Sequence, residues 1–100
     1  MSISIQQVHF DEDADALLRA NQLPTEDLRD NPDVLLFGCP RGGSLAGVVG
    51  LELQGPCALL RSLAVGAEYR GKGLGDTLLH HAEAAAKSRG VRELYLLTTT

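Results

Sequence analysis

The stretch Tyr69 to His81, YRGKGLGDTLLHH, carries glycines at 71, 73 and 75 and then runs without a break into a helical pattern. A strand, a glycine-rich turn and a helix start form an arrangement that binds anions, because the first N–H groups of a helix have no intrahelical partners and point outward. Glycine lets the backbone approach a ligand closely and adopt positive φ, and Arg70 and Lys72 add positive charge beside the turn. Hydrogen bonds to a charged group contribute on the order of 1.5 to 3 kcal/mol each, so a few amides can hold a diphosphate without a metal. The plainer alternative is a tight strand-to-helix turn with no ligand.

Two nucleotide motifs use such turns, and neither fits. A dinucleotide fingerprint needs G-x-G-x-x-G, but the third glycine position is Asp76. A P-loop needs G-x-x-x-x-G-K-[ST]. Gly66 through Lys72 satisfies it until Gly73 falls where a Mg²⁺-binding hydroxyl is required.

Other residue types that could do chemistry give weaker signals. Cys39 and Cys57 lie 18 positions apart with no Cys-x-x-Cys and no histidine at ligand spacing, so both read as buried thiols. His80 and His81 diverge by about 100° on a helix and are poorly placed to share a metal, and His9 carries no signal. No metal is expected.

The elements that must position the turn can be read along the chain. SISIQQVHF alternates as a short first strand, and DEDADALLRANQ puts acidic residues in the first turn of a first helix. LPTEDLRDNP suggests a short helical segment capped by Thr25 and stopped at Asn31-Pro32. DVLLFGCP and SLAGVVGLELQG are strands separated by the hairpin signal RGG, and CALLRSLAV follows the turn at Gly55-Pro56. From Gly75 to Arg89, Leu78, Ala82, Ala85 and Ala86 continue the side begun by Leu74, Glu83 and Lys87 form an i, i+4 pair, and Gly90 ends the helix. ELYLLTTT is a last strand. The order β-α-(α)-β-β-β-α-β predicts one α+β domain over residues 1–100 whose last two strands are parallel neighbours.

Composition narrows the partners. With 44% hydrophobic and 22% charged residues among 100, the chain is an ordinary folded domain that removes roughly 60 to 70 percent of its unfolded surface from water. Residues 1 to 50 carry three basic and eight acidic side chains (3 − 8 = −5), and residues 51 to 100 carry six and five (6 − 5 = +1). An acidic chain with four aromatics and no Trp lacks both the charge and the stacking platforms for nucleic acid. No apolar run reaches the ~18 residues of a bilayer span, so no membrane partner is expected and a cytoplasmic setting is the default.

RGKGLG resembles the Q/R-x-x-G-x-G/A signature of the GNAT superfamily of N-acetyltransferases, with Arg70, Gly73 and Gly75 in the defining positions. The strand ending SLAV, the alanine-rich helix and ELYLLTTT follow that family's order. LPTEDL, GLEL, ALLRSLAV and LYLLTTT are similar to a small-molecule branch associated with arsenic resistance. The resemblance implies a mixed, splayed sheet with helices on both faces, and acetyl-CoA as co-substrate. Its pantetheine arm would lie along Leu63, Ala64 and Val65, and its diphosphate would meet the amides from Gly71 through Lys72, Gly73, Leu74 and Gly75 to Asp76. An amide of that strand would polarise the thioester, so that a small-molecule primary amine attacks directly in a ternary complex.

The family often places a carboxylate in the strand before the motif. CALLRSLAV has none, which leaves Glu52, one strand earlier, as the candidate general base. Its plainer reading is an exposed strand residue beside Gln54. Arg61, alone among apolar residues, either faces a substrate anion or is satisfied by a nearby carboxylate. The family's thiolate donor is a tyrosine after the fifth strand. Neither Tyr69 nor Tyr95 matches it, so the resemblance implies a fold truncated after that strand, with a homodimer completing the sheet as the other option. A non-catalytic acyl-CoA-binding module and an oligomerising interaction domain are the alternatives to an enzyme.

Overall fold

The computed structural model describes residues 4–23, 25, 28 and 31–96. Five strands lie side by side in chain order: β1 (Gln6–Val8), β2 (Val34–Arg41), β3 (Ser44–Gln54), β4 (Cys57–Val65) and β5 (Glu93–Leu96). The first four are antiparallel, joined where the chain is short at Gly42-Gly43 and Gly55-Pro56. β4 and β5 are parallel, because a helix, α2 (Leu74–Ser88), carries the chain back between them.

The strands alternate their side chains between two covered faces, as a period of two requires. Leu36, Val48 and Ala64 pack with Leu18 of α1 (Glu12–Ala20) and with Leu28. Phe37, Val49, Leu51 and Leu60 face the other way, onto Leu78, Ala82 and Ala86 of α2. The predicted helices on both faces of a mixed sheet are therefore present. α2 sits so low that a Cβ at Gly47 would come within 2.8 Å of Leu78 Cδ1 and 3.1 Å of Leu74 Cδ2, so glycine at 47 sets the depth of the helix.

α1 begins where Asp11 accepts the Ala14 N–H at 3.0 Å, with Glu12, Asp13 and Asp15 in the first turn as the sequence suggests. α2 starts at Leu74, one residue before the predicted Gly75. β1 is shorter than SISIQQVHF, and residues 2 and 3 of that run lie outside the described residues. Of the expected helical segment at 23–32, Thr25 and Leu28 form a turn, the Leu28 N–H donating to Thr25 O at 3.1 Å, while residues 24, 26, 27, 29 and 30 lie outside the description. The TTT end of the last strand and Leu97 do so too. Among the described residues no helix is long and apolar enough to cross a membrane.

Candidate functional site

The turn predicted to hold an anion is built as the sequence suggests. β4 ends at Val65, a 3-10 turn follows at Ala67–Tyr69, and Gly71 and Gly73 take φ of 76° and 81° before α2 begins. Gly73 is the N-cap residue and has no side chain with which to cap, so the first-turn amides at Leu74, Gly75 and Asp76 face outward. The Thr77 N–H and hydroxyl both turn back to Gly73 O, at 3.1 and 3.0 Å. A Cβ placed at Gly71 or Gly73 would meet nothing within 4 Å, so a ligand can reach this backbone from open space. A Cβ at Gly75 would lie 3.9 Å from Val65 Cγ2, which brings the start of α2 against the end of β4. These features fit a diphosphate held by backbone amides.

Lys72 and Asp76 are exposed at this turn. Arg70 is engaged elsewhere. Its Nη2 donates to Asn21 Oδ1 at 2.8 Å and its Nε to Val65 O at 3.2 Å, so the guanidinium ties the end of β4 to the end of α1.

The second group forms where β4 departs from a regular ladder. Arg61 pairs with Gly50 and Ala64 with Val48, so Ser62 and Leu63 together face Val49. Ser62 has φ of 57°, a left-handed conformation that side chains rarely adopt. This is a β-bulge, which takes a backbone amide out of the ladder. Past it, the described pairing of β4 with β5 covers only Cys57 to Leu60, ending at Leu60 opposite Leu96. Among the described residues, Leu63, Ala64 and Val65 therefore have β3 on one side and no β5 partner on the other.

Glu52 and Arg61 meet on the α1 face of the sheet. Arg61 Nη1 lies 2.8 Å from Glu52 Oε1, with side chains 11% and 17% exposed for Arg61 and Glu52. Arg61 Nε also donates to Ser62 Oγ at 3.2 Å, and Gln54 Nε2 donates to Glu52 Oε2 at 2.6 Å. Of the two readings of Arg61, satisfaction by a nearby carboxylate is the one the structure shows. Gln54, Glu52, Arg61 and Ser62 form one chain of contacts that ends at the bulge. A cavity of about 260 Å³ lies beyond β2 on this side, lined by Val8, Phe10, Leu28, Asn31 and Val34 among others. Val34 is the register partner of Glu52.

The structure thus makes two groups of the predicted residues. Val65 and residues 71–76 meet at one end of β4, and Glu52 and Arg61 meet near the bulge, four strand residues away or roughly 13 Å. Sequence reasoning missed Ser62 and Asn21. Nothing in a Ser between Arg and Leu signals a positive φ. An Asn three residues before Pro24 is only a common way to end a helix.

The remaining candidates have structural places. Tyr69 packs against the α2-side core, and His81 packs against Phe37 with ring centroids 5.0 Å apart and the rings tilted by 59°. Cys39 is buried as expected. Cys57 is only half-buried, its Sγ 4.0 Å from Glu93 Oε2, because it opens β4 at the sheet's end. The Tyr95 hydroxyl donates to the same carboxylate at 2.5 Å, and this bond and the negative charge hold its pKa above the ordinary 10.0.

Comparison with known proteins agrees with this architecture. In a Bacillus subtilis protein provisionally named a ribosomal protein bS18 alanine N-acetyltransferase, 33% of 70 residues are identical, covering 70% of this chain and 46% of that protein. An amino-acid acetyltransferase of Ectopseudomonas mendocina is 46% identical over 43 residues, 43% of this chain and 10% of that protein. The chain spans less than half the length of these curated relatives. Among solved structures, a Klebsiella pneumoniae protein provisionally named an acyl-CoA N-acyltransferase superposes with a TM-score of 0.83 at 25% identity, covering 94% of this chain and 70% of that one. The model of the acetyltransferase (GNAT) family matches residues 4–100. With that family's model covering residues 4–100 and a five-strand mixed sheet with helices on both faces in place, the chain belongs to the acetyltransferase (GNAT) family.

Proposed function

We propose that this chain is the acetyl-CoA-binding domain of an N-acetyltransferase that acetylates the primary amine of a small molecule by direct attack in a ternary complex. The observation that carries the reading is the contact chain from Gln54 through Glu52 and Arg61 to Ser62, which ends at the bulge of the strand that leads to the phosphate turn. Acetyl-CoA supplies an activated acetyl thioester. The outward amides of residues 71 to 76 hold its diphosphate, with Lys72 adding charge, and the backbone of Leu63, Ala64 and Val65 aligns its arm. An amide freed by the bulge at Ser62-Leu63 donates to the thioester carbonyl where negative charge develops.

An ammonium acceptor must lose a proton before it attacks. Glu52, oriented by Arg61 and Gln54, takes that proton directly or through one water. The cavity lined by Val34, one strand from Glu52, offers the acceptor's body a place. The proton donor for the departing thiolate is not Tyr95, whose hydroxyl is committed to Glu93 at the end of the sheet away from the bulge. We place the protein in the cytoplasm and leave a homodimer as a reading of the β5 edge.

The acceptor class rests on the motif's resemblance to a small-molecule branch; neither of the curated relatives above bears an arsenic-resistance name. A second reading, a non-catalytic acyl-CoA-binding module, is favoured by the two donors that already occupy both Glu52 oxygens. Thiol release from acetyl-CoA in the presence of varied amines decides between them. The enzyme reading expects amine-dependent release, and ligand binding with no release from any amine supports the module.

A further inference from the structure

Arg70 stands in the position that the family signature gives to the phosphate turn, yet its side chain turns away toward Asn21, 49 positions earlier in the chain. We propose that Asn21 is a positioning residue that, through Arg70, sets the phosphate turn against the end of β4. The proposal rests on the reading of that turn as an acyl-CoA diphosphate site. It changes the role of Arg70 from added charge beside the diphosphate to a strap behind the turn.

Both ends of the strap are fixed. Asn21 closes α1 and donates from Nδ2 to Leu17 O at 2.9 Å, which leaves Oδ1 directed at Arg70 Nη2, 2.8 Å away. The chain after it is locked as well. The Gln22 N–H donates to Arg19 O and the Leu23 N–H to Leu18 O, each at 3.0 Å, with Gln22 at φ of 60°. That is the paired-bond ending of a helix, and it occurs here without the usual glycine. At the other end, Arg70 Nε donates to Val65 O at 3.2 Å, so one guanidinium grips the last residue of β4 and the end of α1 together.

The turn needs such a grip. Gly71 and Gly73 have open space around them and the conformational freedom of glycine, and the bonds from Thr77 to Gly73 O restrain the turn only from its α2 side. α2 anchors the turn on one side and Arg70 on the other. Amides aimed before the ligand arrives bind it without the loss of freedom that a loose turn would suffer. α1 and α2 lie on opposite faces of the sheet, so the strap also links the helix on the Glu52 face to the turn that starts the other helix.

The test uses the whole chain and two readouts, the CoA dissociation constant and hydrogen exchange of the amides at 71–76 without ligand. N21A and R70A are each expected to weaken CoA binding roughly three- to tenfold, the range one hydrogen bond supplies, and to speed exchange at 71–73. The double variant is expected to be no worse than the more damaging single one. N21D keeps an oxygen for Arg70 but loses the donor to Leu17, so it is expected to bind CoA within about twofold of the parent, by the same hydrogen-bond arithmetic. A role confined to ending α1 predicts instead that N21D is as damaging as N21A. That result, additive losses in the double variant, or unchanged exchange and affinity in N21A would each overturn the strap. If the parent chain binds no CoA, the reading of the turn as an acyl-CoA site fails, and exchange at 71–73 in N21A still decides the strap.

Discussion

Arg61 reaches across from β4 to hold Glu52 of β3, Nη1 to Oε1, at 2.8 Å on a largely covered part of the sheet. The pair lies diagonally, since Arg61 is opposite Gly50 and Glu52 is opposite Leu59, and the small residue at 50 lets the guanidinium stem lie flat. An ion pair so covered is weak evidence of added stability, because desolvation offsets much of the attraction. Its position beside the bulge fits the general-base role proposed for Glu52.

Replacing Glu52 with glutamine separates these roles. E52Q keeps the shape and a neutral oxygen for Arg61, so the stability loss is expected to stay near 1 kcal/mol, whereas kcat/KM falls about 100-fold or more with CoA affinity unchanged. E52A leaves part of a covered guanidinium without its carboxylate and is expected to cost about 1 to 3 kcal/mol in denaturant unfolding. Activity of E52Q within threefold of the parent would remove Glu52 as the base.

Ser62 holds the bulge in a left-handed conformation at φ of 57°. Such a conformation costs a side-chain-bearing residue roughly 1 to 2 kcal/mol, and glycine escapes this but loses the Ser62 Oγ contact with Arg61. S62G is therefore expected to match the parent within about 1 kcal/mol, and S62V, branched at Cβ, to be about 2 kcal/mol less stable than S62G. Equal stability of the two in urea unfolding would show that the bulge relaxes readily.

Tyr95 gives a pH dependence with a definite sign. Its hydrogen bond to Glu93, first, and the carboxylate's charge favour the neutral phenol, so its pKa lies above 10.0 in the folded chain. The stability this adds is fully present below pH 10 and fades as pH rises through the higher folded value. Tyrosinate absorbance is expected to show a step above pH 10 that Y95F removes and that E93Q moves back toward 10. A Tyr95 step at the same pH in E93Q would contradict the pairing.

The sequence made some of this legible and hid the rest for physical reasons. α2 could be read because Leu74, Leu78, Ala82 and Ala86 repeat at helical spacing, and all four are buried. The strands showed through alternation and glycine turns, and the strand-to-helix turn at 71–75 through glycines that only special dihedrals or close approach require. Contacts between residues far apart in sequence were out of reach. No local pattern tells that Arg61 will meet Glu52 rather than a ligand, since that depends on the register of β3 against β4. Nor does any tell that Arg70 will reach Asn21 rather than the diphosphate. The bulge was hidden because Ser62 takes a conformation its own residue type disfavours, which only the surrounding sheet can impose.

Ligand-dependent melting tests the central claim most directly, that the turn from Gly71 to Asp76 holds the diphosphate of an acyl-CoA without a metal. Acetyl-CoA at 100 times its Kd should add about 2.7 kcal/mol and raise Tm by more than about 10 °C in a domain of this size. NAD and Mg-ATP should leave Tm unchanged. Gly73→Glu, which puts a side chain and a negative charge into the open space at φ of 81°, should abolish the acetyl-CoA shift. No shift with acetyl-CoA, or an equal shift with Mg-ATP, would contradict the assignment.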